Sequence, residues 1–320
     1  MSASFDPSEA KELKTIADMV RWAASAFEQA GLVFGHGYDN ALDEAAHLVL
    51  AALGLPSELP PAYAQARLTR RERDALVELI GRRIRERVPT AYLIGEAWFC
   101  GLAFSVDPSV LVPRSPIAEL IREGFQPWLG ALEVRRALDL CCGSGCIGIA
   151  MAVNFPDWAV DLADASDSAL ALARRNAEQH GVLGRVRLIQ GDLFDAEGLA
   201  ERYELIVCNP PYVPSAAVEA LPPEYRHEPR LGLDGGHDGL EFAARVLLEA
   251  PSRLGPEGLL VLELGDSAET LASALPEIPF TWAEFSTGDM GVLIARREEL
   301  LDWREAIARW AERRRARGAS

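Results

Sequence analysis

The chain has 320 residues, of which 49% are hydrophobic and 25% are charged, and its formal net charge at pH 7 is −16. This length favours two domains, and the composition is typical of a soluble globular protein. The negative charge argues against a protein that grips a nucleic-acid backbone over its whole surface, and it is compatible with a basic protein partner. Because no long apolar run and no signal-peptide pattern occur, we expect a cytoplasmic protein without membrane contact.

The first 88 residues predict a small helical bundle. Apolar residues recur at helical spacing in three runs, and the breaks between the runs fall at Gly31–Gly37 and Leu55–Pro61. No strand pattern occurs in this stretch. We therefore predict that residues 1–88 form a helical domain, to which we assign substrate recognition.

Residues 89–130 have a different character and predict a linker. Trp98 and Phe99 stand before Cys100-Gly101, and Leu102 and Phe104 follow it, which is typical of a β-hairpin with a tight turn. A connector that contains several prolines then leads into a short predicted helix near Ile117–Glu123.

Strands and helices alternate from residue 131 to residue 297. The predicted strands are Arg136–Leu140, Ala159–Ala163, Val186–Gln190, Leu205–Cys208, Gly258–Leu264, Phe280–Phe285 and Gly291–Ala295. This alternation predicts an α/β domain with a Rossmann-like, doubly wound parallel sheet. The last two of its seven strands are so close in sequence that they predict an antiparallel hairpin at the sheet edge. Residues 298–320 predict a C-terminal helix.

The first predicted strand of this domain runs into a glycine-rich turn that contains Gly143 and Gly145. Glycines let the backbone approach a ligand closely, and the start of the following helix favours an anionic group. Three acids stand at the ends of successive strands: Asp139, Asp164 and Asp192. We predict that Asp164 accepts from ribose hydroxyls, that Asp192 accepts from an adenine amino group, and that Asp139 lies near the amino-acid end of the ligand.

Five cysteines show neither a disulfide framework nor a metal site. They are Cys100, Cys141, Cys142, Cys146 and Cys208. Their number is odd, three of them crowd into the glycine-rich turn, and no histidine or second cysteine pair is suitably spaced. We expect reduced thiols and no metal.

The most specific motif is Asn209-Pro210-Pro211-Tyr212, directly after the predicted strand Leu205–Cys208. The prolines fix their own φ angles and restrict Asn209 to an extended backbone, so the Pro210 carbonyl is a stiffly held acceptor. The Asn209 side-chain oxygen and this carbonyl can together hold the two N–H groups of a planar amide or of an exocyclic amino group. Such a pair returns electron density to the nitrogen, and Tyr212 can cover one face of the planar group.

Together these segments resemble, across residues 134–297, the Asn-Pro-Pro-Tyr class of methyltransferases that use S-adenosylmethionine. The whole chain is similar to the protein-glutamine methyltransferases, which have a helical domain, a β-hairpin connector and a catalytic domain. The resemblance implies methyl transfer from S-adenosylmethionine to the side-chain amide nitrogen of a glutamine, with Asn209, Pro210 and Tyr212 as catalytic residues. The residues expected to bind the methyl donor are Asp139, Cys141, Gly143, Gly145, Asp164, Asp192 and Asn209. The residues expected to contact the substrate are Asn209, Pro210, Pro211, Tyr212, Glu228 and Pro229.

Two details resemble the branch of this family that modifies the third protein of the large ribosomal subunit. The connector reads Leu111-Val-Pro-Arg-Ser-Pro116, and Cys141 stands where the first glycine of the turn is usual. The segment from His227 to Gly236, which contains Glu228 and Pro229, resembles a family segment near the substrate cleft. The resemblance therefore implies a basic ribosomal protein as partner, with nucleic-acid contact only through that substrate.

Three alternatives remain open at this point. The release-factor branch of the family would share the chemistry but modify a different protein. The tetrapeptide can also hold the exocyclic amino group of adenine, although neither the charge nor the domain pattern favours a nucleic-acid methyltransferase. A non-catalytic ribosome-assembly factor would have no need of the intact tetrapeptide.

Overall fold

The computed structural model describes residues 5–286 and 288–318, which fall into two compact units. The helical unit comprises Met1–Ala97, Val106–Pro108 and Pro222–His227, and the catalytic unit comprises Trp98–Ser105, Ser109–Leu221 and Glu228–Ser320. Within the described ranges, no helix is both long and apolar enough to cross a bilayer.

In the part of the helical unit that the structure describes there are four α-helices and three short 3-10 helices. The α-helices are α1 (Ile16–Gln29), α2 (Ala41–Ala52), α3 (Arg70–Glu86) and α4 (Thr90–Ile94). The 3-10 helices are Pro7–Glu12, Pro61–Gln65 and Pro223–His227. Thr15 with Asp18 and Thr69 with Glu72 form capping boxes that satisfy the first N–H groups of α1 and α3. Met19, Phe27, Leu48, Leu76 and Ile80 are fully buried in the core between the helices.

A buried network of charges lies inside the helical unit. Nε of Arg83 donates to Glu44 over 2.5 Å, and both side chains are almost completely buried. The buried carboxylate of Glu224, from the segment Pro222–His227, accepts from Arg87 and from the Val33 N–H, each over 3.2 Å. Because a buried charge is costly unless it is paired, these contacts hold the segment in place within the helical unit.

Two short strands, β1 (Glu96–Phe99) and β2 (Leu102–Ser105), form the predicted hairpin. Its turn is Cys100-Gly101, and both residues have positive φ angles, of 52° and 77°. The short helix α5 (Ile117–Arg122) follows the proline-rich connector, as predicted.

The catalytic unit contains the predicted sheet of seven strands, which is confirmed. The strands are β3 (Arg136–Leu140), β4 (Ala159–Asp164), β5 (Val186–Gln190), β6 (Tyr203–Cys208), β7 (Leu254–Glu263), β8 (Thr281–Phe285) and β9 (Gly288–Arg296). Their spatial order is β5-β4-β3-β6-β7-β9-β8. The first five strands in this order pair in parallel, whereas β9 pairs antiparallel with both β7 and β8. The fold is thus the Rossmann-like sheet with an antiparallel last hairpin.

Helices cover both faces of this sheet and bury its apolar side chains in two clusters. The helices that contribute to these clusters are α5, α6 (Cys146–Asn154), α7 (Asp167–Gln179), α10 (Glu241–Arg253), α11 (Ser267–Ala274) and α12 (Arg297–Gly318). Two short helices between β6 and α10, α8 (Ser215–Ala220) and α9 (Arg230–Leu233), contribute no residue to either cluster. The C-terminal helix α12 packs on one face through Trp303 and Trp310, which are both buried. Residues that are seven positions apart lie on one side of a helix, so the two rings share that side.

Candidate active site

The order of the strands places the candidate site. From β3 the chain moves outward through β4 to β5 and then returns to place β6 on the other side of β3. This reversal is a topological switch point, and ligands of open α/β sheets bind beyond the carboxyl ends of the strands at such a point. The glycine-rich turn follows β3, and the Asn-Pro-Pro-Tyr tetrapeptide follows β6. The structure therefore brings the two predicted motifs to neighbouring strands.

The glycine-rich turn has three residues in the left-handed region: Cys141, Gly143 and Gly145, with φ angles of 62°, 54° and 77°. A side chain at Gly143 would meet no atom within 4 Å, so this residue faces open space. Gly145 is the N-cap residue of α6 and has no side chain with which to cap the helix. The positive φ angle of Cys141 explains why glycine is the usual residue at this position.

Asp139 is buried beneath this turn, with 1% of its surface exposed. Its Oδ2 accepts from the Gly148 N–H over 2.8 Å, whereas Oδ1 has no hydrogen-bond partner in the described part of the chain. Burial raises the pKa of Asp139 to about 7; the Gly148 N–H opposes this rise, and the charge of Asp164 adds to it. A buried carboxylate oxygen without a donor is suited to a cationic ligand group, such as an ammonium.

Asp164, at the end of β4, is bonded to the same turn. Its Oδ2 accepts from the Gly143 N–H over 2.8 Å, and its Oδ1 accepts from the Ser166 N–H over 2.9 Å. Burial raises the pKa of this carboxyl. Asp164 thus holds the glycine-rich turn against the neighbouring strand; its contact with ribose stays a prediction.

Asp192, beyond the end of β5, has a different environment from the other two acids. Its side chain is 59% exposed, and both of its oxygens accept from Nη1 of Arg245, over 2.9 and 2.8 Å. Asp195 accepts from the same guanidinium. The predicted contact between Asp192 and an adenine amino group is untested, and in this structure Arg245 holds the carboxylate.

The tetrapeptide extends from the end of β6. Pro210 and Pro211 are buried, and Asn209 and Tyr212 are partly buried. Within residues 5–286 and 288–318, neither the Asn209 side chain nor the Pro210 carbonyl takes part in a hydrogen bond. Both predicted acceptors are thus available to a ligand.

Tyr212 is held from several sides. Its hydroxyl donates to Glu263 over 3.2 Å, and its carbonyl accepts from the Ser267 hydroxyl over 2.7 Å. A side chain at Gly265 would lie 2.6 Å from Cε2 of the ring, so only glycine leaves room for the ring edge. Burial, followed by the charge of Glu263, raises the pKa of Tyr212 far above its usual range, so the hydroxyl stays protonated.

Residues 233–239, here called the backing segment, lie against the tetrapeptide and the residue after it. The Val213 N–H donates to the Leu233 carbonyl over 2.9 Å, and the Gly235 N–H donates to the Val213 carbonyl over 2.8 Å. A side chain at Gly235 would lie 2.7 Å from Cα of Tyr212, and one at Gly239 would collide with the Tyr212 carbonyl. Glycines are therefore required where the two segments touch.

Glu228 and Pro229, the two substrate residues that the resemblance implied, lie outside the tetrapeptide. Both oxygens of Glu228 are engaged: Arg114 donates to them over 2.6 and 2.8 Å, and the Val112 N–H donates to one of them over 3.0 Å. Pro229 precedes α9 as its N-cap residue. Glu228 thus fastens the connector, and substrate contact by either residue stays a prediction.

The sequence did not indicate three polar residues near the tetrapeptide: Glu263 and Ser267, which are hydrogen-bonded to Tyr212, and Ser115, which donates to Glu263. Glu263 ends β7 just as Asp164 ends β4, so the rule that located the other acids at strand ends would have found it. Ser115 and Ser267 carried no signal, because serines are common in connectors and at helix starts.

Comparisons with known proteins agree with this arrangement. The family model of the methyltransferase small domain matches residues 124–221. A ribosomal protein uL3 glutamine methyltransferase of Xylella fastidiosa strain Temecula1 is 52% identical over 314 residues, which cover 98% of this chain and 100% of that protein. The protein of the same name from Xanthomonas campestris pv. campestris is 55% identical over 294 residues, which cover 91% and 94%.

Among solved structures, the hMettl16 catalytic domain in complex with the MAT2A 3'UTR hairpin 1 is similar with a TM-score of 0.48 and 18% sequence identity, covering 75% of this chain and 84% of that one. The fold assignment rests on the strand order, and the family assignment rests on the two bacterial relatives. Because more than half of the residues are identical over nearly the whole of both chains, this chain belongs to the family of ribosomal protein uL3 glutamine methyltransferases.

Proposed function

We propose that this enzyme transfers the methyl group of S-adenosylmethionine to the side-chain amide nitrogen of a glutamine in uL3, the third protein of the large ribosomal subunit. The relatives named above carry this substrate in their names. One observation on the chain itself carries the proposal: the Asn209 side chain and the Pro210 carbonyl stand at the switch point with no hydrogen-bond partner in the described residues.

The residues around the glycine-rich turn fit the methyl donor. Oδ1 of Asp139 lacks a donor and would accept from the ammonium of the methionine part, while the open space at Gly143 leaves room for the ligand. Asp164 and Asp192 would hold the ribose and the adenine. When bound, the donor supplies an electrophilic methyl group on a sulfonium.

The tetrapeptide would orient and activate the glutamine. The nitrogen lone pair of an amide is delocalised into the carbonyl, so the nitrogen is a poor nucleophile. Asn209 and Pro210 would each accept one of its N–H groups and return electron density to the nitrogen, while Tyr212 covers the planar group. Holding both reactants in line can supply roughly 7–11 kcal/mol of the lowering of the barrier.

The same geometry discriminates against glutamate. A carboxylate has no N–H groups, so it would leave Asn209 and Pro210 without donors and would bring its charge against their oxygens. The net charge of −16 suits a basic ribosomal protein, because complementary potentials speed encounter. We place the reaction in the cytoplasm, with nucleic-acid contact only through the ribosomal substrate.

The test is methyl transfer from labelled S-adenosylmethionine to ribosomal proteins of cells that lack this enzyme, followed by peptide mass spectrometry. We expect label on one glutamine of uL3. Label on release factors instead would keep the chemistry but contradict the substrate, and label that ribonuclease removes would replace the proposal with adenine methylation.

A further inference from the structure

A buried acid lies beside the tetrapeptide without a role in the chemistry proposed above. Glu263 is the last residue of β7, and its neighbour Leu262 pairs with Cys208, the residue before Asn209. Only 4% of the Glu263 surface is exposed. Its Oε1 accepts from the Tyr212 hydroxyl over 3.2 Å, and its Oε2 accepts from the Ser115 hydroxyl over 2.6 Å. One carboxylate therefore links the tetrapeptide to the connector.

The rest of β7 shows that this acid is unusual. The preceding residues of the strand, from Leu259 to Leu262, are apolar and fully buried, and an apolar residue would continue the pattern. A carboxylate in such a place loses its hydration, and burial accordingly raises the pKa of Glu263. Two hydroxyl donors and the nearby positive charge of Arg114 offset part of that cost. The hydrogen bonds from Tyr212 and Ser115 are the contacts that an apolar residue at this position could not make.

Tyr212 needs such a contact for its orientation. The hydrogen bond from Ser267 holds its carbonyl, and Gly265 makes room at one edge of the ring. These two contacts involve the backbone and one edge of the ring, and neither of them restrains the hydroxyl. The hydrogen bond to Glu263 restrains the far end of the ring. Ser115 in turn accepts from the Ile117 N–H over 3.2 Å at the start of α5, so the acid is restrained by a helix start.

We propose that Glu263 is a positioning residue, which holds the Tyr212 ring over the substrate amide and is itself held by Ser115. This inference rests on the proposed function, because the ring is useful only where a planar group must be covered. The bond to Glu263 restrains Tyr212, and the donor-binding carboxylates lie elsewhere at the switch point. Loss of Glu263 therefore lowers the rate of methyl transfer and leaves binding of the donor unchanged.

The variants Glu263→Ala, Glu263→Gln and Ser115→Ala separate this role from general stability. In Glu263→Ala both hydroxyls lose their acceptor, and we expect kcat to fall by about 10²-fold, the scale of a misplaced reacting group. In Glu263→Gln the amide oxygen still accepts from one hydroxyl and the volume is kept, so the fall is smaller. The dissociation constant of S-adenosylmethionine, measured by calorimetry, stays within about twofold of the wild-type value in each variant, which is well below a tenfold loss of affinity.

Tyr212→Phe supplies the decisive comparison. If Glu263 acts through the Tyr212 hydroxyl, the double variant Tyr212→Phe with Glu263→Gln is no slower than the slower single variant. The matched control is Tyr203→Phe, because the Tyr203 hydroxyl also donates to a buried acid, Asp161, over 2.6 Å. Tyr203 is the first residue of β6, whereas the tetrapeptide follows the last residue of that strand. This control loses stability and keeps kcat.

The inference is overturned if folded Glu263→Gln and Ser115→Ala both have the wild-type kcat, or if the rate losses of Tyr212→Phe and Glu263→Gln multiply. Should Glu263→Ala fail to fold, these two milder variants still decide the matter. The wild-type enzyme is assayed in parallel on uL3. Absence of label with the wild type contradicts the proposed function itself, whereas label with the wild type and unchanged variants contradicts only the role of Glu263.

Discussion

At the scale of single residues, Asn209 and Asp139 each present an oxygen that receives no hydrogen bond in the described part of the chain. Their surroundings differ. Asn209 is partly buried at the end of β6 and neutral, so it suits the N–H of a neutral amide. Asp139 is fully buried beneath the glycine-rich turn, and as a carboxylate it suits a cation. Substitution of each residue should therefore affect a different step.

Asn209→Ala should greatly reduce turnover and leave the affinity for S-adenosylmethionine nearly intact. The substitution removes an acceptor that orients the reacting nitrogen, and loss of one such polar contact typically costs about 10²–10³-fold in rate. Single-turnover methyl transfer and calorimetric titration of the donor measure the two effects. Asn154→Ala is a suitable control, because Asn154 only donates to the Ala150 carbonyl at the end of α6. Full activity of Asn209→Ala contradicts the proposed mechanism.

Asp139→Asn should weaken donor binding and stabilise the ligand-free enzyme more at pH 8 than at pH 5. The folded pKa of about 7 is above the ordinary value of 3.8, so the folded state holds the proton between these values. The stabilisation that this proton gives to the folded state is present at low pH and is lost as the pH rises through 7. The asparagine has no proton to lose, and its advantage should grow by about 2–3 kcal/mol over this range.

Urea unfolding of both proteins at pH 5 and pH 8 measures this difference. A constant difference between the two proteins at the two pH values shows that Asp139 is not protonated in the ligand-free enzyme.

At the scale of elements, the tetrapeptide depends on a segment that follows it by more than twenty residues. The backing segment lies against Pro211 and Tyr212, and it is fastened at both ends. The Ser215 hydroxyl donates to Asp234, and Arg314 from α12 donates to Asp238 over 2.8 Å. The C-terminal helix thus holds the backing segment, which in turn contacts the tetrapeptide.

Gly235→Ala should reduce turnover while the fold is kept. The added methyl group would lie 2.7 Å from Cα of Tyr212 and 2.8 Å from the Pro211 carbonyl oxygen, so backbone atoms must move apart. Such overpacking costs about 1–3 kcal/mol, and it displaces the tetrapeptide. The matched control is Gly184→Ala, which would meet no atom within 4 Å. Kinetics and thermal unfolding of the two variants make the comparison, and equal rates would show that the segment does not position the tetrapeptide.

At the scale of the whole molecule, the chain leaves the catalytic unit at Pro222 and returns to it at Glu228. The six residues between belong to the helical unit, where Glu224 is buried among Arg83, Arg87 and the Val33 N–H. A segment between the tetrapeptide and the backing segment is therefore built into the other unit.

Glu224→Ala should destabilise the protein by about 1–3 kcal/mol, because the Val33 N–H and Arg87 lose a buried acceptor, whereas Arg83 keeps its pair with Glu44. The exposed acid Glu219 pairs with Arg230 on the surface, and Glu219→Ala should cost less than about 1 kcal/mol. Denaturant unfolding of the two variants tests the contrast. Similar midpoints would mean that the network around Arg83 does not depend on Glu224.

The sequence alone predicted the fold of the catalytic unit and the two motifs of the site. The features that it predicted depend on residues that are close together in sequence. They are the periodicity of strands and helices, the positive φ angles that glycines allow, and the stiffness of Asn-Pro-Pro-Tyr. For this reason the predicted bounds of β3 and β5 agree with the structure, and the tetrapeptide follows β6 as predicted.

Tertiary structure decided what depends on distant neighbours. Three features of the site depend on which residues meet although they are far apart in sequence. Oδ1 of Asp139 lacks a donor, Arg245 holds Asp192, and Glu228 fastens the connector. The contact between Glu263 and Tyr212 joins residues 51 positions apart, across adjacent strands. Periodicity along the chain carries no information on such pairings, because the strand order and the burial of each polar group arise only when the chain packs.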